Sequence, residues 1–184
     1  MKKILFITLI FSNIIFSQNI DFEGFMNFSY SNNSGKIYLE VNNLDKEFLY
    51  INSLSRGIGN NDIGLDRGQL GNTRIVFFTK RGNKILMVQP NTRYISNSKN
   101  YLENMAVEEA FARSVLFSFE IIEEKNNNYM IDLTPLLMND AHGVAQRLKY
   151  SNSGNYSLNK SMSAIELDRT KAFPKNIEFD VILT

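Results

Sequence analysis

The sequence predicts an α+β fold: a mainly antiparallel β-sheet built from hairpins, with one long helix at about 100–116 and one short helix at about 140–148. Three observations carry this expectation. Apolar and polar residues alternate in several short runs separated by Asn, Gly and Asp clusters, the pattern of half-buried strands joined by tight turns. One stretch after residue 100 changes to helical spacing. No repeat of fixed period is visible, and the runs do not alternate strand with helix as a parallel sheet requires.

Residues 18–35 are polar and asparagine-rich, with Phe22, Phe25, Phe28 and Tyr30 interleaved. We read them as an extended lead-in ending in the turn cluster Ser31-Asn-Asn-Ser-Gly35. Ile37, Leu39 and Val41 alternate with Tyr38, Glu40 and Asn42, and a second run covers Phe48 to Leu54. With Asn42-Asn-Leu-Asp45 between them, the two read as a hairpin. Arg74 to Thr79 and Lys84 to Gln89 form another, with Gly82 at its turn, and Pro90 ends it because proline cannot donate to a ladder. A short strand is expected at Thr92 to Ser96.

Asn100 is the expected N-cap of the long helix, with Glu103 three residues on in a capping-box arrangement. Leu102, Met105, Ala106 and Ala110 share a stripe that Phe111, Val115 and Leu116 widen, and Glu109 and Arg113 form an i,i+4 pair. Phe117 to Glu124 and Tyr129 to Leu133 read as a third hairpin across Lys125-Asn-Asn-Asn128. Asp140 is expected to cap the short helix, in which Ala141, Val144, Ala145 and Leu148 fall on one side. Residues 151–163 are Ser/Asn-rich and loop-like, with a short strand around Tyr156 and Leu158. The chain closes on the strand-like Ile177-Glu-Phe-Asp-Val-Ile-Leu-Thr184. An abrupt apolar end predicts a truncated domain; a terminal strand buried in the sheet would look the same.

The organisation expected is therefore a signal peptide at 1–17, the lead-in at 18–35, and a single α+β domain at 36–184 that is truncated at its C-terminal end. Met1-Lys2-Lys3 is a positive n-region, Ile4 to Phe16 an apolar h-region, and Ser17 a small residue before a polar one. The apolar stretch is short for a bilayer, which takes about 20 residues; an uncleaved anchor is the alternative. Export to the periplasm, cell envelope or medium follows, with membrane contact only through this segment. The formal charge is +1, from 20 basic and 19 acidic residues, so no electrostatic case for nucleic acid arises. There is no cysteine, which removes disulfides, thiolate metal sites and a cysteine nucleophile.

The most unusual segment is the loop from Gly57 to Gly71, with glycine at 57, 59, 64, 68 and 71. Each glycine inside a regular element costs roughly 0.5–1 kcal/mol against alanine, so this density predicts a loop that needs positive φ or close backbone approach. As a phosphate cradle it lacks both the G-x-x-x-x-G-K-[ST] and the G-x-G-x-x-G patterns. As a calcium loop, Asn60, Asp62 and Asp66 supply oxygens, but Gly64 occupies the third ligand position and no glutamate follows at the required spacing. The remaining reading is a structured loop in which Asp66 accepts backbone N–H bonds and Arg67 pairs with a carboxylate. The residues singled out are Gly57, Gly59, Asp62, Gly64, Asp66, Arg67, Gly68 and Gly71.

Catalytic signatures are sparse. His142 is the single histidine, so neither H-E-x-x-H nor a three-histidine zinc site can be assembled. No G-x-S-x-G elbow presents a serine, and Ser96-Asn-Ser-Lys99 and Ser157-Leu-Asn-Lys160 match S-x-x-K without its companion elements. No catalytic residue, metal ligand or cofactor is expected in this segment. A degenerate enzyme using Asp62, Asp66 and His142 is the least favoured reading.

Several blocks, in order along the chain, carry a family resemblance. They are Phe48-Leu-Tyr50, the run from Gly57 through Leu65-Asp-Arg-Gly-Gln-Leu-Gly71, Gln89-Pro-Asn91, and Ala106-Val-Glu-Glu-Ala-Phe-Ala112 with Ser114-Val-Leu116. Further on come Asp132-Leu-Thr134, Asp140-Ala-His-Gly-Val-Ala145, Ser161 with Ser163, and Thr170-Lys-Ala-Phe-Pro-Lys-Asn176. Over roughly 24–184 the chain resembles the N-terminal domain of secreted bacterial zinc-dependent metalloproteases. The resemblance implies export, a hydrolase as the parent protein, and zinc held only in a downstream catalytic region. It transfers no catalytic residue to these positions. The expected role is a non-catalytic accessory domain whose partner is the downstream peptidase domain, with peptide substrate as a further partner. A stand-alone exported peptide- or glycan-binding module is the alternative.

Overall fold

The computed structural model describes residues 19–59 and 61–184; the expected signal segment and Asn60 lie outside the described residues. Eight strands form one antiparallel sheet: β1 (Asn19–Phe22), β2 (Phe28–Ser31), β3 (Lys36–Val41), β4 (Phe48–Tyr50), β5 (Arg74–Arg81), β6 (Lys84–Gln89), β7 (Ser114–Lys125) and β8 (Asn128–Asp132). Their order is β1-β2-β3-β8-β7-β6-β5-β4. The class is mainly β with a few helices.

Two hairpins form where local turn chemistry asks for them. β5 and β6 meet at Arg81↔Lys84 around Gly82-Asn83, with Gly82 at φ +60, the first-position glycine of a type II′ turn. β7 and β8 meet at Lys125↔Asn128, where Asn126 and Asn127 both take positive φ (50° and 62°), as a type I′ turn requires. The segment expected as a lead-in supplies β1 and β2, which pair with each other, and β2 pairs with β3.

The hairpin expected from Ile37–Val41 and Phe48–Leu54 does not form. β3 pairs with β8 through Tyr38↔Asp132 to Val41↔Tyr129, and β4 pairs with β5 at the far edge. Residues 42–47 must therefore bridge five inter-strand steps. In a flat sheet that is about 24 Å, and a connector of this length reaches about 23 Å only if fully extended. The sheet satisfies the connector by curling into a half-barrel. Its curl brings the Phe25 ring to 6.3 Å from Phe48, edge to face.

The concave face holds the core. Phe28, Ile37, Leu39, Val41, Val76 and Phe78 project inward from one part of the sheet, and Ile85, Met87, Phe119, Tyr129 and Ile131 from the rest. The C-terminal segment covers this face with β9 (Ala164–Ile165), β10 (Lys171–Phe173), β11 (Asn176–Glu178) and β12 (Val181–Ile182), paired as β10-β11 and β9-β12. Ile165, Ala172, Ile177 and Phe179 pack onto the core from here, Phe179 with its ring 4.8 Å from Phe28. The single terminal strand expected at 177–184 is thus divided between two small ladders. The strands expected at 92–96 and around Tyr156 are loop.

Helix α1 (Tyr101–Ala110) is shorter than the expected 100–116, because the chain enters β7 at Ser114. Asn100 caps it, its side chain accepting from the Leu102 N–H. The expected core stripe does not exist, since no residue of α1 is buried and Leu102 is 63% exposed. Arg113 pairs with Glu108 (3.6 Å), not Glu109. Helix α2 (Thr134–Leu137), with Pro135 in its first turn, was not anticipated. Helix α3 (Val144–Tyr150) begins four residues later than expected, yet Asp140 does cap it, accepting from Val144 N (2.8 Å) and Ala145 N (2.9 Å).

Candidate functional site

The glycine loop extends the β4–β5 ladder as an irregular hairpin. Gly71 N donates to Asn52 O, Leu54 N to Gln69 O, and Gly68 N to Leu54 O, with a bridge between Ser53 and Leu70. Beyond this neck the tip turns through a 3-10 turn, Asn61–Ile63, and is anchored by Leu65, which is fully buried. Gly59, Gly64 and Gly68 take positive φ, while Gly57 and Gly71 sit where backbone or side chain comes close. Gly71 is the tightest case: a Cβ there would lie 2.6 Å from the Asn52 amide. Any larger residue would push the Asn52 side chain out of the neck.

Three contacts hold the loop to distant parts of the chain. Ser55 Oγ donates to Asp180 Oδ1 (3.0 Å), Arg56 pairs with Glu166 (3.3 Å), and Arg147 of α3 donates to Gly64 O (3.3 Å). Asp180 is the hub, because its other oxygen pairs with Arg169 Nε at 2.6 Å. The fully buried Thr170 completes it, donating to Glu166 O.

Two of the polar residues singled out in the loop, Asp66 and Arg67, are placed differently from expectation. Asp62, Asp66 and Arg67 are all exposed. Asp66 meets Gln69 through its own backbone, its carbonyl accepting from Gln69 N and its N–H donating to Gln69 Oε1. Among the described residues, Arg67 forms no ion pair, so the expected carboxylate partner is not there. His142 sits half-buried just before α3, with a buried Nε2 that has no hydrogen-bond partner among the described residues. Among these residues, Asp62, Asp66 and His142 do not converge into a group that could hold a metal ion.

A second region was not legible as a site. On the convex side of the sheet, a cleft of about 510 Å³ opens between β5 and α1. Phe77, Val107, Ile95 and Phe111 are its apolar lining, and Asp45, Glu47, Glu108 and Arg113 its charged lining. The Phe111 ring stacks on Tyr94 at 4.1 Å, and the Arg113 guanidinium lies 5.8 Å over Phe77. Asn91 fixes the 91–94 turn by accepting from Arg93 N and Tyr94 N, which aims Tyr94 at the helix. The same face of β4 and β5 carries an uncovered apolar strip. Leu49 faces Ile75 across the ladder, both pointing away from the core, and with Ile51 they are 71%, 38% and 44% exposed. No local motif encodes this surface, because its parts come from four separated segments.

A smaller cleft lies at the β2–β3 turn, lined by Tyr30, Lys36, Asp132, Thr134 and Lys160 among others. Burial would raise the Asp132 carboxyl, but hydrogen bonds from Lys36 Nζ (2.8 Å) and from Thr134 win and hold it below its ordinary value. The same hydrogen bond to Asp132 raises Lys36. This pair ties β3 to β8, and Thr134 Oγ1 accepts from Ile37 N beside it.

No curated protein and no solved structure matches the chain. A family model does, over residues 68–184, from the C-terminal side of the glycine-loop neck through β5 to the last small ladder. The chain belongs to this family, the Domain of unknown function (DUF5117).

Proposed function

We propose that this chain is a non-catalytic accessory domain of an exported, zinc-dependent metalloprotease-like protein, and that its convex face packs against a downstream peptidase domain. The observation that carries the docking part is the strip of Leu49, Ile51 and Ile75, apolar side chains left uncovered on an edge ladder. Large contiguous exposed apolar patches mark protein–protein contact sites, and these three residues would form the centre of one. The identity of the partner rests on the resemblance described above.

Purified residues 18–184 should bind no stoichiometric zinc and cleave no peptide; chelator-sensitive proteolysis by that fragment would overturn the reading. Reading the gene through and beyond the codon for Thr184 tests the partner, which requires an open frame continuing into an H-E-x-x-H helix. The cleft beside α1 favours one second reading, a stand-alone exported peptide- or glycan-binding module. A stop codon directly after Thr184 would put that reading first.

A further inference from the structure

We propose that the cleft between α1 and β5 is a binding site for an extended basic peptide, one that seats an apolar or aromatic side chain between flanking Lys or Arg residues. The proposal stands on the cleft's chemistry and not on the protease-like reading of the chain. At about 510 Å³ the cavity lies within the roughly 300–1,000 Å³ usual for ligand pockets. Phe77 is buried at its floor, while Ile95 and Phe111 keep 68% and 39% of their surface exposed and so leave apolar contact for a ligand.

The charged lining decides the sign of the ligand. Glu108 is already compensated by Arg113 at 3.6 Å, whereas Asp45 and Glu47 have no ion-pair partner among the described residues. Lys46, between them in the chain, does not line the cleft. Two amide donors of the lining are committed: Asn104 Nδ2 donates to Ser98 O, and Asn91 Nδ2 to Tyr94 O. With Glu108 offset by Arg113, the charge left over in the lining is that of two carboxylates, Asp45 and Glu47. A complementary partner brings N–H donors and positive charge beside a side chain that fills the apolar lining. An acidic peptide would set like charges together, and a neutral apolar one would leave both carboxylates unpaired.

The test uses the purified chain in 50 mM salt and three acetylated, amidated pentapeptides: Ala-Lys-Phe-Arg-Ala, Ala-Glu-Phe-Glu-Ala and Ala-Lys-Ala-Arg-Ala. Amide chemical shifts of the protein are followed on titration. The first peptide should saturate shifts at Phe77, Val107 and Phe111, the second should not bind, and the third should bind more weakly than the first. The double variant D45N/E47Q should weaken the first peptide about three- to tenfold. Both positions are exposed and Asn tolerates the positive φ of Asp45 (58°), so an unchanged spectrum of the free variant certifies its fold. Equal binding of the acidic peptide, or affinity unaltered in D45N/E47Q, would overturn the proposal. So would cleft shifts that depend on protein concentration without peptide, which would make this a self-association face.

Discussion

The two faces of the curled sheet obey different rules. On the concave side, every strand from β2 to β8 except β4 contributes a buried residue, and a C-terminal segment closes over them. On the convex side, α1 stands across a cleft from β5 without burying one of its own residues, and Leu49 and Ile75 on the β4–β5 ladder are exposed. The same alternation of apolar and polar residues produces both faces. What differs is whether the rest of the chain supplies a cover. Apolar side chains are thus sealed into a core on one face, while on the other several of them, Leu49, Ile51 and Ile75 among them, stay exposed.

Substitutions can break that comparison. The largest effect is expected at the concave centre: Ile131→Ala, at a fully buried position between β3 and β7, should cost about 2–5 kcal/mol in urea unfolding. A loss under 1 kcal/mol there would mean the concave face is not the core. Gly24→Ala comes next, at about 1–3 kcal/mol, because its Cβ would meet Phe173 O at 2.7 Å and push the 23–27 turn off β10. Gly68→Ala should cost about 1–2 kcal/mol by forcing a side chain at φ +83, and hydrogen exchange at Leu54 should quicken with it.

The Lys36–Asp132 pair adds a smaller, pH-dependent term of about 1 kcal/mol or less. The folded Asp132 value is depressed, so its contribution is present above about pH 4 and lost as pH falls through the folded value. Lys36 is raised, so its share holds below about pH 10.4 and fades as pH rises through the folded value. Asp132→Asn should lower stability at neutral pH, and the gap to the parent should narrow as pH falls below about 4. Leu102→Ala, on the convex helix, should change stability by less than about 0.5 kcal/mol. A larger loss would show that α1 is part of the core after all.

Legibility in the sequence followed the range of the interactions. The Gly82-Asn83 and Asn126-Asn127 turns were readable because a two-residue loop with positive φ has a narrow residue requirement. The need for loop glycines was readable for the same reason, and all five are found at positive φ or at close approach. The C-terminal end of α1 was misread because Phe111, Val115 and Leu116 continue a helical stripe while Val115, Phe117 and Phe119 already begin a strand period. The false β3–β4 hairpin had a good local turn, Asn42 to Asp45, but its strands found partners far along the chain. The convex cleft was invisible because Asp45, Phe77, Tyr94 and Val107 meet only once the sheet has curled.

The β3–β8 ladder also sets a timetable. Tyr38 pairs with Asp132 and Val41 with Tyr129, so roughly 90 residues must be made after β3 before its second neighbour exists. At about 5–20 residues per second, synthesis takes about 5 to 18 s to supply it. Throughout that interval the β1-β2-β3 meander carries an open edge with Ile37, Leu39 and Val41 uncovered beside it. Contacts this distant also slow the search for the native pairing once synthesis is complete. Newly made chains therefore pass through a window in which the most deeply buried strand of the finished protein is its most aggregation-prone one.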